Sequence, residues 1–476
     1  MDLAHQKTAI ACALLTMILS LLLFSCSIPK PLVERIKEKG ELVVVTRNGP
    51  TTYDEGREGP RGMEYELVSR FADELGVDVR FVMVDQFDTI LSMVVRNEVD
   101  FAAAGLTVTE QRKTQIRFTP GYQLVSQQLV YRAGNKRPKR IMDTASGTLE
   151  VVAGSSHEET LQQLKEQDPD LQWASSEDMD SEELLYLVWE QVIDYTIANS
   201  NEVALSRRFY PELKAAFNLT KPQPLAWAFP HAEDTSLFDV ARDFFRQLEK
   251  DGTLKQLIER YYGHTEQLNF VDTRAFRRHI NSRLPPLIPF FKKAAEQTGI
   301  EWQLLAAIGY QESHWNPNAV SPTGVKGIMM LTQATAKQLE VSDRADPEQS
   351  VLGGARYLRI VEKKIPERIA EPDRLWLALA GYNIGFGHLE DARILTQRGG
   401  DDPDKWANVK RFLPLLAKEK YYVTVKNGRA RGQEPVSYVD NIRSYHELLL
   451  WDNEQKLKAD ADPVPRTPLP SAPEGL

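Results

Sequence analysis

Cysteine is nearly missing from this chain of 476 residues: the only two are Cys12 and Cys26. Everything after residue 26 is thiol-free. That excludes disulfides, zinc–thiolate sites and a cysteine nucleophile from the body of the protein. A basic excess is missing too. With a formal net charge of −9 there is no surplus of Lys and Arg to neutralise phosphates, which argues against nucleic acid as the main partner. The conspicuous apolar run, Thr8–Phe24, follows Lys7 and ends at Ser25-Cys26. It is short for a membrane span and suits the apolar part of a secretory signal, residues 1–25; an uncleaved anchor helix is the competing reading.

What remains has a globular composition, 42% hydrophobic and 26% charged, and its length points to two or three domains. Residues 26–40 read as a polar lead-in ending at Gly40. Leu42-Val43-Val44-Val45 is a continuous apolar run suited to a strand covered on both faces. A helical period follows over Met63–Leu75, closed by Gly76, and strand and helix patterns then alternate to about Tyr262. Residues 41–266 therefore predict an α/β domain with a largely parallel sheet. Beyond the break at Gly263-His264 the strand signals largely vanish, and 267–455 predict a mainly-α domain. Residues 456–476, rich in Pro, Ala and Asp, predict a disordered tail.

Within the helical half, one acid stands out. Leu305, Ile308 and Glu312 fall at i, i+3 and i+7, on one helical side. A glutamate on an apolar stripe is desolvated, which raises its pKa, as a general acid working near neutral pH requires. The alternative is a Glu at the helix end that turns out to water. Glycosidases commonly use two carboxylates. Here Asp343 and Asp346 read as helix-capping residues, which leaves Glu312 alone.

Glu312-Ser313 is followed by Gly327-Ile328-Met329-Met330, then Gly381-Tyr382-Asn383-Ile384-Gly385, then Tyr438-Val439-Asp440-Asn441-Ile442. These blocks, in this order, resemble the motifs of family 1 lytic transglycosylases, although Met330 stands where that family more commonly has Gln. The resemblance implies a lysozyme-like α fold acting on peptidoglycan, with Glu312 catalytic. It implies substrate contacts from Ser321, Met329, Met330, Tyr382, Asn383 and Tyr438, with the Tyr382 hydroxyl orienting the acid. Turn chemistry at Ser321 and Asn383, and a core role for Tyr382, are the competing readings. A lone acid can cut a glycosidic bond if the muramic acid residue supplies the nucleophile. The expected product is then a 1,6-anhydro sugar; a hydrolytic muramidase is the near alternative.

The first half carries a second resemblance. Gly59-Pro60-Arg61-Gly62-Met63-Glu64, Asp100–Gly105 and Thr107-Val108-Thr109-Glu110-Gln111-Arg112 look like the amino-acid-type solute-binding proteins of bacterial transporters. The implied fold is α/β and two-lobed, of the periplasmic solute-binding kind. Arg112 would grip a ligand carboxylate, and Asn199 falls where such proteins place an Asp for the ligand amine. An amide cannot balance an ammonium, so a capped amine, as within a muropeptide, competes with a free amino acid as regulatory ligand. A solvated Arg112 is the bland reading. A peptide or amino-acid receptor with a cell-wall docking domain is the alternative function. Leu23-Phe24-Ser25-Cys26 resembles a lipoprotein cleavage box, with Cys26 the lipidated residue. Ser27 after it implies the periplasmic face of the outer membrane, with the anchor lying on the bilayer. Neither cofactor nor metal is expected.

Overall fold

Two five-stranded sheets divide the first half of the chain into two lobes. The structure is a computed structural model that describes residues 30–56, 59–84, 86–263, 270–321 and 324–461. The leader, Cys26, the 266/267 boundary and residues 462–476 lie outside these.

In the first sheet the strand order is Asp78–Met83, Glu41–Thr46, Phe101–Ala102, Ala228–Pro230, Ile116–Phe118. The apolar run in Glu41–Thr46 is explained by cover on both sides. Leu42 and Val44 pack with the Met63–Leu75 and Ser236–Lys250 helices, while Val43 and Val45 pack with Phe87–Val95. Met63–Leu75 ends as expected at Gly76, whose φ of 74° places it in the left-handed region. The second sheet runs Ala174–Ser176, Leu149–Val152, Tyr195–Asn199, Gln127–Arg132, Leu213–Asn218, again with a hydrophobic cluster on each face.

Both sheets are mixed, which corrects the expectation of a largely parallel one. Glu41–Thr46 runs parallel to its two neighbours, but Ala228–Pro230 is antiparallel to both of its own. The reason is topological. The chain leaves the first lobe and later returns to it, and Gln123–Val125 pairs antiparallel with Gln223–Leu225 where it does so. Strands that follow each crossing enter the sheet in the opposite sense. A second correction concerns the lead-in, where Leu32–Lys39 is a helix. Ile36 is buried and Leu32 and Val33 pack against the first lobe, so its polar residues form only the outer face.

Residues from Phe270 onward form the helical domain, whose helices share one core with Trp406 and Phe291 among its fully buried side chains. The final helix spans Gln433–Ala461, so the tail boundary at 456 is also corrected. Helix propagation adds a hydrogen bond per residue without needing burial, and Lys456 pairs with Asp452 one turn back at 2.7 Å.

Candidate active site

The helix Trp302–Ser313 is wrapped by protein along most of its length, with every residue from Gln303 to Tyr310 buried. Gly309 allows this: a Cβ there would sit 3.1 Å from both Ile328 and Phe291. The helix stops at His314 and Trp315, both with positive φ, and the buried Trp315 ring donates from Nε1 to the Ala306 carbonyl at 2.7 Å. That bond folds the exit back against the helix and fixes its last turn. Glu312 lies in this turn.

Leu305 and Ile308 are fully buried, and the Glu312 carboxyl emerges partly buried from the same stripe. Burial pushes its pKa up to about 7, while a hydrogen bond from Tyr438 pulls the other way. The Tyr438 hydroxyl donates to Glu312 Oε1 at 2.6 Å. Among the described residues no charged neighbour contributes to this shift. Asp346 accepts from the Gln349 amide at 2.8 Å and caps the Pro347–Glu362 helix as expected, whereas Asp343 accepts from the Ala345 amide in the turn before it and caps no helix, which corrects that expectation.

The expected orienting tyrosine is corrected. Tyr382 donates to the Met329 carbonyl at 3.2 Å, and its ring stacks beside that of Tyr438 with centroids 6.4 Å apart. It thus supports the wall around the acid, while Tyr438 holds the acid itself. Tyr357 meets Tyr382 edge-on at 5.1 Å and extends this aromatic wall; no motif had singled it out.

Met329 is corrected as well. Its side chain is fully buried, close enough to Gly354 that a Cβ there would lie 2.6 Å from it. Only its carbonyl faces the site. Met330 is partly exposed at φ 45°, in a turn that begins at Gly327, whose carbonyl accepts from the Met330 amide at 3.2 Å. Gly327 has φ 84°, and a Cβ there would fall 1.8 Å from the Arg344 carbonyl, so no other residue fits. Ser313, missed as a separate role, ties this turn to the acid helix: its hydroxyl donates to the Ile328 carbonyl at 2.9 Å. The Glu-Ser pairing in the motif was the available signal. Ser321 Oγ accepts from the Val325 amide at 3.2 Å, consistent with the turn reading. Asn383 is exposed in the last turn of the Asp373–Ile384 helix, before Gly385.

In the two-lobed domain Arg112 is buried and already met. Its Nε donates to Glu159 at 2.7 Å and its other nitrogens reach the carbonyls of Thr107 and Gly154, so it pins the two lobes together. The solvated reading of Arg112 is therefore wrong. Asn199 caps the Ser200–Phe209 helix in a capping box with Glu202, and its side-chain oxygen is 3.4 Å from His157. The cavity beside Asn199 is only about 10 Å³, room for roughly one water. A larger cavity of about 780 Å³ opens next to it, lined in part by Phe87, Asp180, Glu182, Trp189 and Trp451. Trp451 belongs to the final helix, the same helix that carries Tyr438. Among the described residues no group of His, Cys, Asp and Glu is placed to hold a metal, and no helix is long and apolar enough to cross a membrane.

A buried lone acid on a lysozyme-like helical domain, joined to a two-lobed solute-binding fold, defines a modular lytic transglycosylase. Residues 289–404 match the family described as Transglycosylase SLT domain, and residues 42–264 match Bacterial extracellular solute-binding proteins, family 3. The Membrane-bound lytic murein transglycosylase F 1 of Alkalilimnicola ehrlichii is 47% identical, with 94% of this chain and 92% of that protein covered. The Saccharophagus degradans protein named Membrane-bound lytic murein transglycosylase F is also 47% identical, over 90% of this chain and 86% of that one. Among solved structures, an ancestral arginine-binding protein bound to arginine is similar at 23% identity and TM-score 0.43, covering 47% of this chain and 98% of that one. The chain belongs to the membrane-bound lytic murein transglycosylase F family.

Proposed function

We propose that the helical domain cleaves the β-1,4 bond between N-acetylmuramic acid and N-acetylglucosamine in peptidoglycan strands without water. The observation that carries this reading is the lone carboxyl of Glu312, whose pKa is pushed up to about 7, so that its acid form persists near neutral pH. The protonated acid gives its proton to the leaving glycosidic oxygen as the bond to the anomeric carbon breaks. As carboxylate it then removes the proton of the muramic 6-hydroxyl, whose oxygen attacks the anomeric carbon. The ring closes to a 1,6-anhydro sugar, and Glu312 returns to its acid form. A pKa near the working pH serves both halves of this cycle. Mass spectrometry of products from purified sacculi tests it. The anhydro product is one water lighter than that of a hydrolytic muramidase, and a hydrated product would overturn the reading.

Tyr438 is the positioning residue. Tyr438→Phe removes the bond that lowers the acid's pKa, so the alkaline limb of the pH–rate profile should move upward from about 7. The rate should fall about tenfold, as expected for a lost hydrogen bond to a charged group. An unchanged limb would show that the bond does not operate during turnover.

The two-lobed domain we read as a sensor for a wall-derived muropeptide or amino acid, and the N-terminal segment as a lipid anchor at Cys26 that holds the protein at the periplasmic face of the outer membrane. Because Glu159 already occupies Arg112, an incoming carboxylate must displace it. Arg112→Ala is therefore expected to weaken calorimetric binding of muropeptides about tenfold, the loss of a charge-assisted bond. Absence of binding to the parent protein would sink the sensor reading.

A further inference from the structure

Between the short Leu413–Ala417 turn and the final helix, residues 418–432 read Lys-Glu-Lys-Tyr-Tyr-Val-Thr-Val-Lys-Asn-Gly-Arg-Ala-Arg-Gly. Five basic side chains, Lys418, Lys420, Lys426, Arg429 and Arg431, stand here against one acid, Glu419, in a chain whose net charge is −9. All five are exposed. Arg431 pairs with Glu434 at 3.2 Å; the other four make no ion pair among the described residues.

The segment is not a loose surface run. Asp391, almost fully buried, accepts from the Asn427 amide at 2.9 Å and from the Lys426 amide at 3.2 Å. The Asn427 side chain donates to the Gly387 carbonyl at 2.9 Å, Arg398 donates to the Thr424 carbonyl at 3.0 Å, and the Ala430 amide to Leu416 at 3.1 Å. At Gly432 the backbone passes so close to Leu413 that a Cβ would lie 1.6 Å from its carbonyl. Gathering like charges on a fixed loop costs stability unless an anion meets them.

These anchors also place the loop. Gly387 lies just past the Gly385 break that ends the helix of Tyr382 and Asn383, and Gly432 leads into the helix of Tyr438. Both tyrosines flank Glu312. Arg431 lies two residues before that helix begins at Gln433, and Tyr438 stands about 8 Å along it. The basic loop is therefore tied to the two segments that carry the tyrosines beside the acid.

We propose that residues 418–432 form a subsite for the carboxylates of the peptide stems carried by the glycan strand being cut. This rests on the transglycosylase reading above and adds its substrate preference. Stems present carboxylates beside the sugar chain, and an exposed Lys/Arg loop tied to the segments beside the acid meets them as the strand enters. Val423 in the same segment, 63% exposed, offers apolar contact to the stem, while Tyr421 packs against the core beneath it.

The test compares full-length parent with the triple variant Lys426→Gln, Arg429→Gln, Arg431→Gln, both checked for folding by circular dichroism. Each cuts stem-bearing glycan strands and the same strands stripped of peptide by an amidase, and the readout is the ratio of the two kcat/KM values. The parent ratio should exceed one and decline with added salt, as screening of exposed charges requires. The variant ratio should be about tenfold lower, mainly through KM, the sum of a few exposed charge contacts. A parent ratio of one, or equal ratios in parent and variant, overturns the proposal. Equal ratios together with lost binding to anionic phospholipid vesicles would make the loop a membrane contact instead. A parent that cuts neither substrate would bring down the transglycosylase reading itself, and the subsite with it.

Discussion

Glu312→Gln is expected to lower turnover of purified sacculi by about a thousandfold, within the range that a positioned general acid–base contributes. The amide keeps the size of the carboxyl and can still accept from Tyr438, so the cleft stays formed. It can neither release a proton to the leaving oxygen nor take one from the 6-hydroxyl. The same change should make the protein more stable at high pH. Glu312 has a folded pKa of about 7, raised by burial above its ordinary 4.5. The folded state therefore holds this proton more tightly than the unfolded one. Its contribution favours folding at low pH and is lost as pH rises through 7. Gln removes that loss, so thermal melts should show the variant ahead of the parent at pH 8, with the gap shrinking toward pH 5. Undiminished turnover would refute the catalytic assignment, and a variant that melts lower at pH 8 would refute the buried-acid account.

How much of this could be read in the chain depended on the range of the interaction. The alternation of Leu42–Val45 across two hydrophobic clusters, and the Met63–Leu75 helix stopped by Gly76, are set by near neighbours, and the pattern carried them. The buried stripe of Leu305, Ile308 and Glu312 was legible for the same reason. Strand direction was not, because it depends on where the chain re-enters a sheet more than a hundred residues later. Nor could spacing tell which tyrosine holds the acid. Tyr382 and Tyr438 both approach it, and the difference lies in a single hydroxyl aimed at the Met329 carbonyl or at Glu312. Met329 was misplaced because a methionine beside a motif looks the same whether it faces sugar or core; the space vacated by Gly354 decides it. Arg112 had the right side chain in the right lobe, but its partner Glu159 comes from the other one.

Removing Arg443 is expected to cost about 3–5 kcal/mol, the usual penalty for leaving buried charges without their partner. Arg443 sits on the final helix, five residues after Tyr438, and is buried. Its guanidinium donates to the carbonyls of Glu259 and Arg260 at 3.0 and 2.8 Å, at the C-terminal end of the Thr253–Tyr262 helix of the two-lobed domain. There the helix dipole also favours a cation. It lies 3.3 Å from the Glu259 carboxylate, which Lys410 approaches at 2.7 Å, and its face stacks 3.9 Å over Trp376. Further along the same helix Glu447 pairs with Arg208 and Trp451 stacks on Phe209, both from the second lobe. One helix thus carries the acid's tyrosine and the grip on the two-lobed domain. In Arg443→Met, calorimetry should resolve two melting transitions where the parent gives one, because the domains lose their shared ion cluster. Activity should fall with the disturbed Tyr438. Asp440, buried in the same cluster with a pKa pushed up to about 6, should behave oppositely. Its folded pKa is above the ordinary 3.8, so its ionised form costs stability once pH exceeds 6, and Asp440→Asn should raise the melting temperature at pH 8. If Arg443→Met melts like the parent in a single transition, Arg443 is not what couples the two domains. A drop for Asp440→Asn would mean that its charge is a needed partner for Lys410 and Arg443.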